Sequence, residues 1–434
     1  MQRRSLASLF AAAAVAAAVA APVAVKSLST TADRPASAST TGAWIHSWTA
    51  MPQLTEPGNL PPAPFTQPDR VFADSTVRQT IHISVGGRQL RLRFSNAFGT
   101  TALPITEVRI ARPAGGLAGV GSIQPRSTRR VTFDDAPSVL IPVGSQAVSD
   151  PLDLPVAARS NLTVTIDLAA GQASQNITSH PGSRTTSYLL AGNHTADTDL
   201  PGATTVDHWY FLSGAEVFSP GGTAAVVMLG DSLTDGRGST TNQNDRWPDD
   251  LLARLQSRPA TAGVAVLNQA AGGNRVLNDG LGPNAIGRID RDVLAVSGVD
   301  WLLVFEGVND IGTAAATPAA QRQVAADLIA AYRQIIVRAH AQGIAVYGAT
   351  ITPFGGNTGY DDPAGVREAA RTAVNQWIRT SGRFDALVDF DRTARDAADP
   401  RRLRPDLDVG DHLHLNPAGY QALADTVPDR LFRR

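Results

Sequence analysis

A serine that attacks an acyl carbon needs a base to take its proton, a carboxylate to orient that base and fixed donors for the oxyanion that forms. Those residue types occur in this chain in four short stretches, well separated in sequence. The first, AAVVMLGDSLTDGRG over 224–238, is an apolar run that ends at Gly230 and releases Asp231, Ser232 and Thr234 into a turn. The second, NQAAGGNR, brings Gly273; the third, EGVNDIG, brings Asn309; the fourth, GDHLHLNP, brings Asp411 and His414. Ser232 could act as nucleophile, His414 as base and Asp411, three residues earlier in the same loop, as its orienter. The amides of Ser232 and Gly273 with the side chain of Asn309 could then form the oxyanion hole.

Residues this far apart need a scaffold to gather them. Strand-like runs occupy 224–229, 264–268, 301–305, 345–349 and 386–389, and helical stretches lie between them at 247–255, 289–294, 318–342 and 365–379. Such alternation implies a parallel sheet covered by helices on both faces, whose ligands bind beyond the carboxyl ends of the strands. The first three stretches follow strands in that way. The fourth precedes a last helix, with Asn416 suited to its N-cap and Pro417 to its first position.

These residues resemble the four blocks that define the SGNH/GDSL hydrolase family: Gly230-Asp231-Ser232-Leu233, Gly273, Gly307-Val308-Asn309-Asp310 and Asp411-His412-Leu413-His414, present in that order. The resemblance runs from about residue 224 to the C-terminus. It implies a three-layer α/β/α domain with a flavodoxin-like parallel sheet and hydrolysis of carboxylic esters. Leu415 departs from the family, which commonly has proline after the histidine, and only a loop adjustment is expected there.

The preceding half reads differently. Residues 42–222 keep period-2 patterns with Pro and Gly punctuation: 80–85 alternates, Gly86-Gly87 turns and 90–94 alternates again, the pattern of a hairpin. Further runs at 108–110, 130–133, 139–143, 162–166, 186–190 and 209–218 suggest an antiparallel β-sandwich or jelly roll. The start carries Arg3 and Arg4, an alanine-dominated run over 6–21 and then Ser, Thr and Pro, which reads as an export signal; the arginine pair fits either an ordinary n-region or a twin-arginine signal. The expected organisation is a signal peptide over 1–24, a linker over 25–42, a β-sandwich accessory domain over 43–222 and the hydrolase domain over 223–434.

Composition sets further bounds. The chain has no cysteine, which excludes disulfides and thiolate chemistry, and its net charge of −1 with scattered arginines gives no field for nucleic acid. No segment after the signal could span or stably anchor in a bilayer, and no cofactor or metal is expected. His412 beside His414 suggests a metal pair only if acidic partners accompany it. Asp231 could simply hold its turn, Asn309 and Asp310 could be a plain turn, and Arg275 could touch substrate or pair with an acid. Trp44, Trp48 and Trp209 could stack on sugar rings or fill the core. His46, His82, His180, His194, His208 and His340 carry no motif. Three Asn-X-Thr triplets at Asn161, Asn176 and Asn193 match the glycosylation sequon. The expectation is a secreted serine esterase that deacylates polysaccharide. A lipase or phospholipase of the same family and a non-catalytic carbohydrate-binding surface protein are the alternatives.

Overall fold

The computed structural model describes residues 42–433, so the expected signal peptide and all but the last residue of the linker lie outside the described residues. These described residues form one compact unit.

Five parallel strands form the sheet that carries the site: β1 (Ala224–Gly230), β2 (Val264–Asn268), β3 (Val299–Phe305), β4 (Ala345–Ala349) and β5 (Ala386–Val388), in the order β2-β1-β3-β4-β5. All seven residues of β1 are buried, as a strand covered on both faces requires. The covering helices include α1 (Ser232–Asp235), α2 (Trp247–Gln256), α3 (Ala285–Ile289), α4 (Val308–Thr313), α5 (Pro318–His340), α6 (Val366–Thr380), α7 (Phe390–Ala394) and α8 (Pro417–Thr426). Strand order reverses between β1 and β3, and the crevice at that switch point is where an open α/β sheet binds its ligand. Ser232 follows β1 and Asn309 follows β3. Among the described residues no helix is long and apolar enough to cross a membrane.

The preceding residues form antiparallel sheets. One has four strands (Gly42–Thr49, Leu212–Pro220, Leu90–Ser95, Gln146–Val148), and another has six, centred on Ser75–His82 and Asn161–Leu168. Their apolar side chains, among them Ile45, Leu92, Phe94, Val77 and Ile166, share one core. The expected hairpin over 80–94 does not form, because its two strands lie in different sheets. Between them Ser84 N–H bonds Ser47 O and Gly87 N–H bonds Val156 O, so the Gly86-Gly87 segment turns a corner between sheets. The expected strand over 209–218 is likewise divided at Phe211, whose φ of 61° breaks the extended run.

The β region docks on the parallel sheet through hydroxyls that reach backbone carbonyls. Ser84 Oγ donates to Val266 O at 2.7 Å and Thr49 Oγ1 to Asn268 O at 3.1 Å, both on β2. Trp48 and Trp209 are core residues in edge-to-face contact, and Trp44 lies against Phe218 under the Arg91 guanidinium.

Candidate active site

Gly230 ends β1 and Asp231 caps α1, its carboxylate accepting from Leu233 N–H at 3.0 Å. Ser232 is therefore the first helical residue, where the backbone amide has no intrahelical acceptor. Burial, with Glu306 and Asp310 nearby, drives the Asp231 carboxyl well above the ordinary range despite that bond. Asp231 holds the turn.

Ser232 Oγ lies 2.8 Å from His414 Nε2, and His414 Nδ1 lies 2.6 Å from Asp411 Oδ2. A carboxylate against Nδ1 makes that nitrogen the donor, which leaves Nε2 as the acceptor for the serine hydroxyl. Asp411 Oδ1 also accepts the amides of Leu413 and His414, at 3.0 and 2.8 Å. Partial burial acts to raise Asp411, but the bonds from His414 outweigh it and hold the carboxyl below its usual range. His414 is lowered below its ordinary 6.5 chiefly by burial; Asp411 opposes this, while Arg237 and Arg184 add to it. The neighbouring His412 turns away: it is exposed, with φ of 63°, and its Nδ1 meets Asp408 Oδ2 at 2.7 Å. Leu415 is buried, and an isolated bridge between Asp408 and Leu415 closes this loop.

A cavity of about 350 Å³ opens onto Ser232 and His414, with Gly273 and Asn309 in its wall. Gly273 has φ of 74°, and a Cβ there would collide with Leu281. Asn309 Nδ2 donates to Asn274 O at 2.8 Å and Oδ1 accepts the Tyr360 hydroxyl at 2.6 Å. Asp310 fixes the adjoining loop by accepting the amides of Val276 and Leu277, both at 2.9 Å. Arg275 bonds Asp279 O within its own loop. Among the described residues no group of three or more His, Cys, Asp or Glu side chains is placed to hold a metal ion.

Several residues of this site carry no sequence motif. Tyr360 and Asn357 come from the loop after β4; Asn357 Nδ2 donates to Asp411 O at 2.8 Å, so one loop touches both Asn309 and the base loop. Their position beyond the carboxyl end of a parallel strand was the available signal. Arg288, fully buried, donates from Nε to Asn274 Oδ1 at 3.0 Å and stands 3.6 Å from Glu306, whose carboxyl burial raises to about 7 against that guanidinium.

The β region supplies another wall of the cavity with Gln53, Glu56, Asn59, Gly182 and Arg184. Within it His180 Nδ1 faces Met51 O at 3.0 Å and must be protonated, while His180 Nε2 faces Asp235 Oδ1 at 2.8 Å. Both side chains of this pair are buried.

Residues 228–422 match the model of the GDSL-like lipase/acylhydrolase family. This part of the chain belongs to that family. GDSL-like membership makes it a hydrolase of the esterase or lipase type acting on ester substrates. Solved structures of similar fold include an acetyl xylan esterase (20% identity, 46% of this chain and 96% of the other, TM-score 0.36). A catalytic mutant of an acetylxylan esterase from Geobacillus stearothermophilus gives 20%, 47%, 91% and 0.35 for the same quantities. A GDSL-like lipase from Bacteroides thetaiotaomicron VPI-5482 gives 15%, 46%, 84% and 0.33. No curated protein matches the sequence.

Proposed function

We propose that this GDSL-like hydrolase is a secreted serine esterase that removes short acyl groups, acetyl foremost, from polysaccharide. The observation that carries the reading is the unbroken relay from Ser232 Oγ through His414 to Asp411, at 2.8 and 2.6 Å, opening onto a cavity. In the reaction Ser232 Oγ bonds the acyl carbon as its proton passes to His414 Nε2, and the carbonyl oxygen becomes an oxyanion. The amides of Ser232 and Gly273 and the Nδ2 group of Asn309 receive that charge. The imidazolium then gives its proton to the alcohol oxygen as the ester bond breaks. Water repeats the sequence on the acyl-serine and restores the hydroxyl.

Polar side chains in the cavity wall, Gln53, Glu56 and Asn59 among them, favour a hydroxyl-rich alcohol over an acyl-glycerol. Export is inferred from the basic and apolar start of the chain, and N-terminal sequencing of protein from the culture medium tests it. A fluorophosphonate should label Ser232, and nitrophenyl acetate and acetylated xylan should both release acetate. Failure to label would favour a binding protein without catalysis, and a rising rate with acyl length would favour a lipase.

A further inference from the structure

Two guanidinium groups share the cavity with Ser232 and His414, and neither has a carboxylate within ion-pair distance among the described residues. Arg184 comes from the β region and Arg237 from the turn after α1. Other arginines around the parallel sheet are paired, among them Arg246 with Asp249 at 2.7 Å, Arg371 with Asp391 at 2.6 Å and Arg379 with Asp389 at 2.6 Å. The acids of the cavity wall already have donors. Glu56 accepts from Gln53 Nε2 and Asn59 Nδ2, at 2.5 and 2.9 Å, and Asp235 from His180. The cavity thus leaves two guanidinium groups without a carboxylate, beside one carboxylate oxygen, Asp235 Oδ2, that has no donor.

Backbone bonds anchor both residues at the cavity wall. Arg184 sits at φ of 50°, and its carbonyl accepts Asn242 N–H at 2.9 Å, which ties this loop of the β region to the loop after α1. Arg184 Nε is buried with no acceptor, as is Nε of Arg93, Arg254 and Arg367, but only Arg184 of these lines the cavity. The Arg237 amide bonds Ser232 O at 3.0 Å and its carbonyl accepts the Tyr420 hydroxyl at 2.6 Å. Both cations act on His414, the group that protonates the departing alcohol. Both arginines line the cavity onto which Ser232 and His414 open, the space into which the alcohol departs.

We propose that Arg184 and Arg237 form an anion subsite for the alcohol half of the ester, so that the substrate is an acylated glycan whose sugar rings carry carboxylates. The forked donors of guanidinium match the two oxygens of a carboxylate. The inference rests on the esterase reading above and narrows it from polysaccharide to acidic polysaccharide.

Acetate release by the full chain is compared on 4-carboxyphenyl acetate and the neutral 4-carboxamidophenyl acetate, then on acetylated polygalacturonate and acetylated xylan. At low salt kcat/KM should favour the anionic partner of each pair by about tenfold, and the ratio should fall toward one in ~0.5 M NaCl as charges are screened. The ratio should also fall toward one in Arg184→Gln/Arg237→Gln. Acetylated sulfated galactan adds a third glycan; preference for it over polygalacturonate would assign the subsite to sulfate and overturn the carboxylate. Hydrolysis of both phenyl esters without a salt-sensitive preference overturns the subsite and leaves the esterase intact. Hydrolysis of neither overturns both. The salt dependence is measured on the unaltered protein, so the outcome stands even if the double variant fails to fold.

Discussion

The Tyr360 hydroxyl donates to Asn309 Oδ1 at 2.6 Å, because the Asn274 carbonyl, which can only accept, fixes the other end of the amide as nitrogen. With Nδ2 satisfied on one side by Asn274 O, its second hydrogen is the one available to an oxyanion. Tyr360→Phe should therefore lower kcat by roughly fivefold, the worth of about one hydrogen bond, with KM little changed. Combined with Asn309→Ala, the same change should cost almost nothing more. Additive losses in that cycle would detach Tyr360 from the hole.

Asn309→Ala itself should reduce kcat by about 10²–10³-fold while leaving slow labelling by fluorophosphonate. Asn309→Asp should be at least as damaging, because a carboxylate repels the oxyanion. A raised KM at normal kcat would place Asn309 in ground-state binding instead.

Ser232→Ala and His414→Ala should each cost on the order of 10³-fold or more in kcat. His412 is the control, since it faces Asp408 and solvent. His412→Asn is the variant to use, because asparagine tolerates the left-handed backbone found there. Its kcat should stay within about twofold, as for surface changes remote from the chemistry. Comparable losses at both histidines would end the assignment of His414 as base.

His414 must be neutral to accept the serine proton, and its pKa lies below the ordinary 6.5. Activity should persist as pH falls through 6.5, with the acid limb of kcat/KM lying lower. Arg237→Gln or Arg184→Gln removes a cation that disfavours imidazolium, so the limb should move to higher pH. An unmoved limb in both variants would show that neither charge reaches the base.

Stability should respond to acid through His46. Its Nδ1 accepts the Ser297 amide at 2.9 Å, which demands the neutral ring, and burial lowers its pKa to about 4. The unfolded chain protonates this ring near 6.5 and the folded one near 4, so protons favour unfolding in between. The contribution, on the order of 3 kcal/mol, is full above pH 6.5 and lost as pH falls toward 4. Glu216, held near 2 against its own burial by His46 and Arg91, adds a second loss below its ordinary 4.5. His46→Asn should flatten the decline of Tm between pH 6.5 and 4; an unchanged slope would refute the linkage.

The parallel sheet was legible because strands buried on both faces are nearly continuous apolar runs, as β1 shows. The four stretches of reactive residues stood out for the same reason: each lies at a strand end or a helix start. The β region was less legible. Alternation reports which face a side chain takes, not which strand lies beside it, so 80–85 and 90–94 read as partners although the strands formed there, 75–82 and 90–95, are in separate sheets. The first strand, Gly42–Thr49, escaped notice because a register shift between His46 and Trp48 breaks its alternation. Tyr360, His180 and Arg184 reach the site through tertiary packing alone. No fixed spacing relates them to Ser232.

The buried pair between His180 and Asp235 bears on how such a chain can be recombined. Asp235 lies in the turn that carries Ser232, and the imidazole against its carboxylate comes from a residue 55 positions earlier. A fragment cut at Gly222, the seam the change of rhythm invites, would leave that carboxylate with no imidazole against it in a space now open to water. It would also lose the wall that holds Arg184. A chimera that borrows this hydrolase must inherit both halves together.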